Sequence, residues 1–149
     1  MLAAPAALST ADACHARRRL RAFDLRPTRQ RVLLSHLMFA GGPRHVTAEM
    51  LFEEAQASGE PLVMATVYNT LHQFVEAGMI RTLMGPGGRL WFDTTTADHH
   101  HFFVEGENRM IDVPAGAVDL SAIPAPPAGY RVLGVDVVIR LAPAQDSSA

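Results

Sequence analysis

Apolar residues recur at helical spacing three times in the first half of the chain. Between Thr28 and Ala40, the residues Val32, Leu33, His36, Leu37 and Ala40 fall on one face, three and four apart, as a helix buried on one side requires. Pro27 precedes this helix, where its missing N–H costs nothing, and Gly41-Gly42-Pro43 ends it. Thr47 offers its hydroxyl as the cap of a second helix with Ala48, Leu51, Phe52 and Ala55 inward, and Gly59-Glu60-Pro61 breaks that helix. A third helix runs from Ala65 or Thr66 to Ala77 and stops at Gly78. Val67, Leu71, Phe74 and Val75 form its inner face. Thr66, Asn69, His72, Gln73 and Glu76 form its outer face, with Tyr68 on the flank.

The period then shortens. Met79 to Met84 and Arg89 to Thr94 read as strands joined by Gly85-Pro86-Gly87-Gly88, a β-hairpin with Arg81 and Arg89 placed to reach phosphate. Two helices joined by a short Gly-containing turn and followed by a hairpin make the winged helix-turn-helix pattern, with the third helix as the reader. Its outer face suits that task, because Asn and Gln bind adenine through two hydrogen bonds and Thr meets a thymine methyl or a phosphate. Any single helix pair is equally well a plain αα-hairpin with a solvated face. Three helices, a wing and a basic arm together favour DNA.

The second half is short and strand-rich. His101 to Val104 and Arg109 to Val113 form a hairpin about Gly106-Glu107-Asn108, and Ala115 to Ala122 reads as a helical turn or short helix. Pro124 to Gly129 is a loop, and Tyr130 to Leu141 a long apolar strand. So short a segment cannot bury a sizeable core alone, and its apolar strand needs cover, so a symmetric homodimer is expected, with higher oligomers open. The fold class is therefore α+β. Residues 1–94 form the winged-helix DNA-binding domain, with 1–14 as a disordered arm. Residues 95–141 form a small α/β dimerisation and metal- or haem-sensing domain, and 142–149 a disordered tail.

Composition narrows the class. The chain has 149 residues, 48% of them hydrophobic, and no apolar run approaches the ~18 residues of a membrane helix. The Ala-rich start has no basic region before it, which argues against a secretory signal. Cys14 is the single cysteine, which excludes an intrachain disulfide and a multi-thiolate zinc site, so a cytoplasmic home is expected. The net charge of −2 conceals two unlike halves. Residues 1–91 hold ten Arg against seven acids, and residues 92–149 three Arg against eight, with no lysine anywhere. The first half suits phosphate; the second is acidic.

The acidic half carries His99-His100-His101. Neutral imidazole is the commonest protein ligand for transition metals. On a strand side chains alternate, so His99 and His101 point one way and His100 the other. Two imidazoles on one face are half of a metal site, or axial ligands for haem iron. A polar strand end wetted by solvent is the bland alternative. An enzyme is disfavoured, since no HExxH or paired nucleophile appears. A metal- or haem-binding carrier without DNA activity remains the alternative to a regulator.

Leu25-Arg26-Pro27-Thr28-Arg29-Gln30-Arg31, His45-Val46-Thr47-Ala48-Glu49, Ala65-Thr66-Val67-Tyr68-Asn69-Thr70-Leu71 and His99-His100-His101 together resemble the ferric uptake regulator family. The segment from His99 to Asn108, with the ending Val135 to Leu141, resembles its iron response regulator branch, dimeric transcription factors that sense iron through haem. The resemblance implies an iron-responsive repressor of A·T-rich inverted repeats in double-stranded DNA. It implies a metal site at His45, Asp93, His99, His101 and Asp112. It implies an incomplete second site at Asp98, His100 and Asp119, since the usual histidine of the last strand is Val135. It implies haem at His99, His100 and His101. Iron and manganese suit these ligands, as does zinc in vitro. The DNA-contacting residues it implies are Arg26, Arg29, Thr66, Tyr68, Asn69 and Gln73, the two arginines at the backbone or minor groove. The family's paired CxxC zinc site is missing, and Cys14 is followed by His15, so no Cys-Pro haem motif is present.

Overall fold

The computed structural model describes residues 8–144. It divides into two compact units, Met1–Met84 with Gly88–Thr96, and Gly85–Gly87 with Ala97–Ala149.

The first unit contains α1 (Thr10–Ala22), α2 (Arg29–Phe39), β1 (His45–Val46), α3 (Ala48–Ala57), α4 (Met64–Glu76), β2 (Arg81–Met84) and β3 (Leu90–Asp93). Hydroxyls start the first three helices: Ser9 accepts from the Asp12 N–H, Thr28 from Arg31 and Thr47 from Met50. Each satisfies a backbone donor that the first turn leaves without an intrahelical acceptor. α4 ends at Ala77, after which Gly78 turns left-handed at φ 77°. The Met79 N–H returns to the Phe74 carbonyl and the Gly78 N–H to that of Val75, a Schellman closure that aims the chain into the wing. Leu20, Leu34, Met38, Leu51, Leu71 and Phe74 are fully buried where the helices meet. Burial of each such side chain stabilises by roughly 1.5–3 kcal/mol. The wing strands pair antiparallel in the order β1-β3-β2, and the two-residue β1 sets His45 directly opposite Asp93.

α1 corrects one expectation. Helix begins at Thr10, inside the stretch 1–14 expected to be a disordered arm; residues 1–7 lie outside the described residues. The Ser9 hydroxyl accepts the Asp12 N–H and donates to the Asp12 carboxylate, and Ala13, Ala16 and Leu20 are buried on one face, so packing holds a segment whose composition is featureless.

The second unit contains β4 (His99–Val104), β5 (Arg109–Pro114) and β6 (Val138–Leu141), ordered β5-β4-β6. β4 and β5 form an antiparallel hairpin, and β6 joins β4 in parallel, with His101 level with Val138. One expectation falls here: the long strand from Tyr130 to Leu141 shrinks to Val138–Leu141. Of the helical turn or short helix read over Ala115 to Ala122, the turn is what forms, as one 3₁₀ turn at Ala115–Ala117. A strand exists only where a neighbouring backbone accepts it. The hydrogen bonds to β4 run from the Val137 carbonyl to that of Leu141, and upstream of them Tyr130 and Leu133 stay 77% and 83% exposed. Of the expected tail, residues 145–149 lie outside the described residues.

Candidate functional site

α4 presents a graded surface. Asn69 and His72 are exposed, Thr66, Tyr68 and Gln73 half-buried, and Val67, Thr70, Leu71 and Phe74 buried. Tyr68 donates its hydroxyl to Glu49 Oε1 at 2.9 Å and stacks on His72 at 6.4 Å between ring centroids. That bond to the carboxylate is the chief cause of a Tyr68 pKa above the usual phenol range. Glu49 lies below the usual carboxylate range, chiefly through its own backbone N–H at the start of α3 and further through the Tyr68 hydroxyl. Glu49 thus fixes the ring that flanks the outer face of α4. Nothing in the sequence spacing pointed to it.

The remaining residues expected at DNA fare unequally. Arg26 is exposed. Arg29 is also exposed but pairs with Glu60 at 2.9 Å, which holds its guanidinium above the ordinary range. Gln73 accepts two hydrogen bonds from Arg31, from Nε at 3.0 Å and Nη2 at 2.9 Å. Its carbonyl oxygen is therefore engaged within the protein.

Two sets of metal-type ligands occur, one in each unit. In the first, Arg44 anchors β1. Its guanidinium bonds the Leu37 carbonyl and both carboxylate oxygens of Glu54, and its backbone N–H bonds the Thr94 hydroxyl. The next residue, His45, holds Nε2 at 3.2 Å from Asp93 Oδ2, with Asp93 fully buried at the end of β3. The second Asp93 oxygen accepts the Thr95 N–H, which fixes the carboxylate plane.

In the second unit, strand alternation places His99 and His101 on one face of the hairpin, with Asp112 directly across from His101. Both imidazoles aim Nε2 at Asp112 Oδ1, from 3.1 Å and 3.5 Å, and their rings lie 4.5 Å apart. All three ligand atoms fall within 4.8 Å of one another. His99 Nδ1 lies 2.6 Å from the Ala97 carbonyl, so that nitrogen donates to it and Nε2 is the one that faces Asp112. A lone pair facing a carboxylate oxygen is favourable only with positive charge between them, either a proton or a metal ion. Metal–ligand bonds of about 2.1 Å put neighbouring donors about 3.0–3.4 Å apart, so this donor set fits a small divalent cation. His45 with Asp93 meets the same spacing.

His100 behaves differently. It is buried, points to the opposite face, and its Nδ1 accepts the Val137 N–H at 3.2 Å, holding the entry to β6. The expected haem set of His99, His100 and His101 therefore does not share one face, and no single macrocycle faces all three. Nor does the expected second site assemble. Asp98 and Asp119 are exposed, Asp119 accepts the Ser121 N–H, which lowers its pKa, and none of the three joins a converging ligand set among the described residues. Cys14 is exposed on α1. No helix among the described residues is long and apolar enough to cross a membrane.

Residues 22–121 match the profile of the ferric uptake regulator family. The ferric uptake regulation protein of Pseudomonas aeruginosa is 32% identical over 85 residues, 57% of this chain and 63% of that relative, so the match spans less than two thirds of its length. The ferric uptake regulation protein of Pseudomonas fluorescens is 31% identical over 101 residues, 67% of this chain and 82% of the relative. Among solved structures, the Pseudomonas aeruginosa ferric uptake regulator with manganese superposes with a TM-score of 0.63 at 22% identity, covering 87% of this chain and 98% of that one.

Proposed function

The chain belongs to the ferric uptake regulator family, and from that premise we propose that it is a metal-responsive transcriptional regulator of the iron response regulator branch. It binds an A·T-rich inverted repeat as a homodimer. The observation that carries this reading is the convergence of His99, His101 and Asp112 in a chain whose other unit is a winged helix. Sequence resemblance supplies the branch and the further ligands His45 and Asp93. The manganese-bearing relative supplies a candidate ion, and iron is the other that the resemblance adds.

A bound divalent cation supplies the positive charge that Asp112 and the two Nε2 lone pairs call for. The protein's own part is to hold those donors in place through the β4–β5 register and the Ala97 carbonyl. The resemblance adds His45 and Asp93 to the ligands, and a bound ion favours binding of both half-sites. Haem, which the resemblance adds, meets buried imidazoles: His99, His100 and His101 are 7%, 3% and 1% exposed. Haem ligation therefore requires this strand to open, and it weakens DNA binding where the cation supports it. Dimerisation covers the exposed apolar residues Ile123, Tyr130, Val132 and Leu133.

On DNA, Asn69 reads a base in the major groove, Thr66 and Tyr68 support it, and Arg26 meets the backbone or minor groove. Gel shifts test the reading. Asn69→Ala should cost about 1–3 kcal/mol and relax sequence preference, and Arg26→Ala should weaken binding to all duplexes and reduce the salt slope by about one. Replacing His99 and His101 by Ala should leave DNA affinity indifferent to added Mn²⁺ and haem. Retained selectivity in Asn69→Ala, or a retained metal response in the double variant, overturns the corresponding half. A purified protein that binds metal but no duplex is a carrier, not a regulator.

A further inference from the structure

Arg31 is half-buried in the first turn of α2, and its guanidinium is committed on three sides. Nε and Nη2 donate to Gln73 Oε1 on α4 at 3.0 Å and 2.9 Å, and Nη1 donates to the Arg26 carbonyl at 2.9 Å. Its backbone N–H is also used, in the Thr28 cap. One rigid fork thus joins two segments that α2 and α3 separate by forty-seven positions of sequence. One segment is the face of α4 that carries Asn69. The other is the extended stretch that presents Arg26.

We propose that Arg31 is a specificity-positioning residue: it fixes the base-reading face of α4 relative to the phosphate- or minor-groove-contacting Arg26, so that both grooves are met in a single register. The inference rests on the reading of α4 as the DNA-reading helix. It assigns to Gln73 the job of bracing rather than reading, because its carbonyl oxygen is the anchor of the fork. A guanidinium is suited to this. Its planar donors leave in fixed directions, so both ends of the bridge are set by one group, whereas an ammonium is a point charge that holds neither angle. The bridge favours DNA only when both contacts are made at once. Its loss should therefore reduce discrimination more than attraction.

The experiment begins with the inverted-repeat duplex that the full chain enriches from a randomised pool, and with a scrambled duplex of the same composition. Arg31→Lys keeps the charge and breaks the fork. Its preference for the selected over the scrambled duplex should fall about tenfold, within the range of coupled neighbours. Affinity for the scrambled duplex and the salt slope should stay the same. Gln73→Glu retains an acceptor for the fork and should keep the preference, whereas Gln73→Leu should lose it as Arg31→Lys does. The double variant Arg31→Lys with Gln73→Leu should be no worse than either single one. Equal losses on both duplexes with a shallower salt slope would make Arg31 a phosphate contact and overturn the proposal. Additive losses, with Gln73→Leu relaxing a single base position, would make Gln73 a reader and overturn it too. Should the parent enrich no inverted repeat at all, the DNA-reading function itself fails first. A thermal unfolding midpoint measured for each variant separates loss of register from loss of fold.

Discussion

The two units fill their interiors with different chemistry. In the first, twenty-one hydrophobic side chains among the described residues are buried, from Ala13 to Phe92. In the second the buried hydrophobics are Val104, Met110 and Val113, and three buried histidines match them in number. Hydrocarbon needs only to leave water, and it stabilises wherever it packs. A buried imidazole costs free energy until its nitrogens find partners. The first unit therefore carries its own stability. The second has an interior whose worth depends on what the nitrogens meet: a backbone N–H for His100, the Asp112 carboxylate for His99 and His101. A scaffold of the first kind positions a reading helix under all conditions. A scaffold of the second kind is suited to answer a ligand, as the proposed function requires.

The hardest test of that contrast is a cavity in the first unit. Phe74 is fully buried on the inner face of α4, and Phe74→Ala should cost about 3–5 kcal/mol, enough to unfold the unit in a chemical-denaturation experiment. Added Mn²⁺ should not restore it. Rescue by metal would show that the two units do not differ as described.

Next in size is the effect of the metal itself. At one hundred times its dissociation constant a ligand that binds only the folded form stabilises by about 2.7 kcal/mol. Hydrogen exchange should show this gain in the amides of β4 and β5 and not in those of α2. Asp112→Asn should remove it. Equal protection of α2 would break the comparison.

A smaller effect sharpens it. Thr47→Ala removes the side-chain acceptor for the Met50 N–H and should cost about 1 kcal/mol, read as a lower denaturation midpoint, the same with or without metal.

The smallest effect is pH-dependent. Asp12 titrates below the ordinary aspartate value, chiefly because the Ser9 hydroxyl donates to it. Its contribution to α1 is present above the usual aspartate range and fades as pH falls through the lowered value. Exchange in the first turn of α1 should rise on acidification from about pH 5 to about pH 2, and Ser9→Ala should flatten that step.

How much of this was legible in the sequence differs between the units for the same reason. The helical stripes, the Thr28 and Thr47 caps and the Gly78 stop are local signals, and the first unit is built from them. Only the basic end of α1, Arg17 to Arg21, reads as a short helix; its start was hidden because the buried face there is alanine, which barely registers as an apolar stripe. In the second unit, Tyr130 to Val137 carries strand-forming residues but strand pairing reaches only the last of them, and composition cannot reveal a missing neighbour. The alternation of the three histidines followed directly from the period of a strand. The fork between Arg31 and Gln73 spans forty-two positions and left no mark that spacing could disclose.

The parallel pairing of β6 with β4 also sets an order of events during synthesis. The β4–β5 hairpin closes across four residues, in about 1–10 μs once both strands are available. β6 begins twenty-four residues beyond the end of β5, a stretch that takes roughly 1–5 s to translate at about 5–20 residues per second. For that interval the nascent chain displays a hairpin whose β4 edge is still unpaired, the edge whose amides at His101 and Glu105 await the carbonyls of Val137 and Leu141. The histidine-bearing strand thus has an open edge in the newborn polypeptide, the kind of edge onto which a second chain can pair before its own β6 arrives.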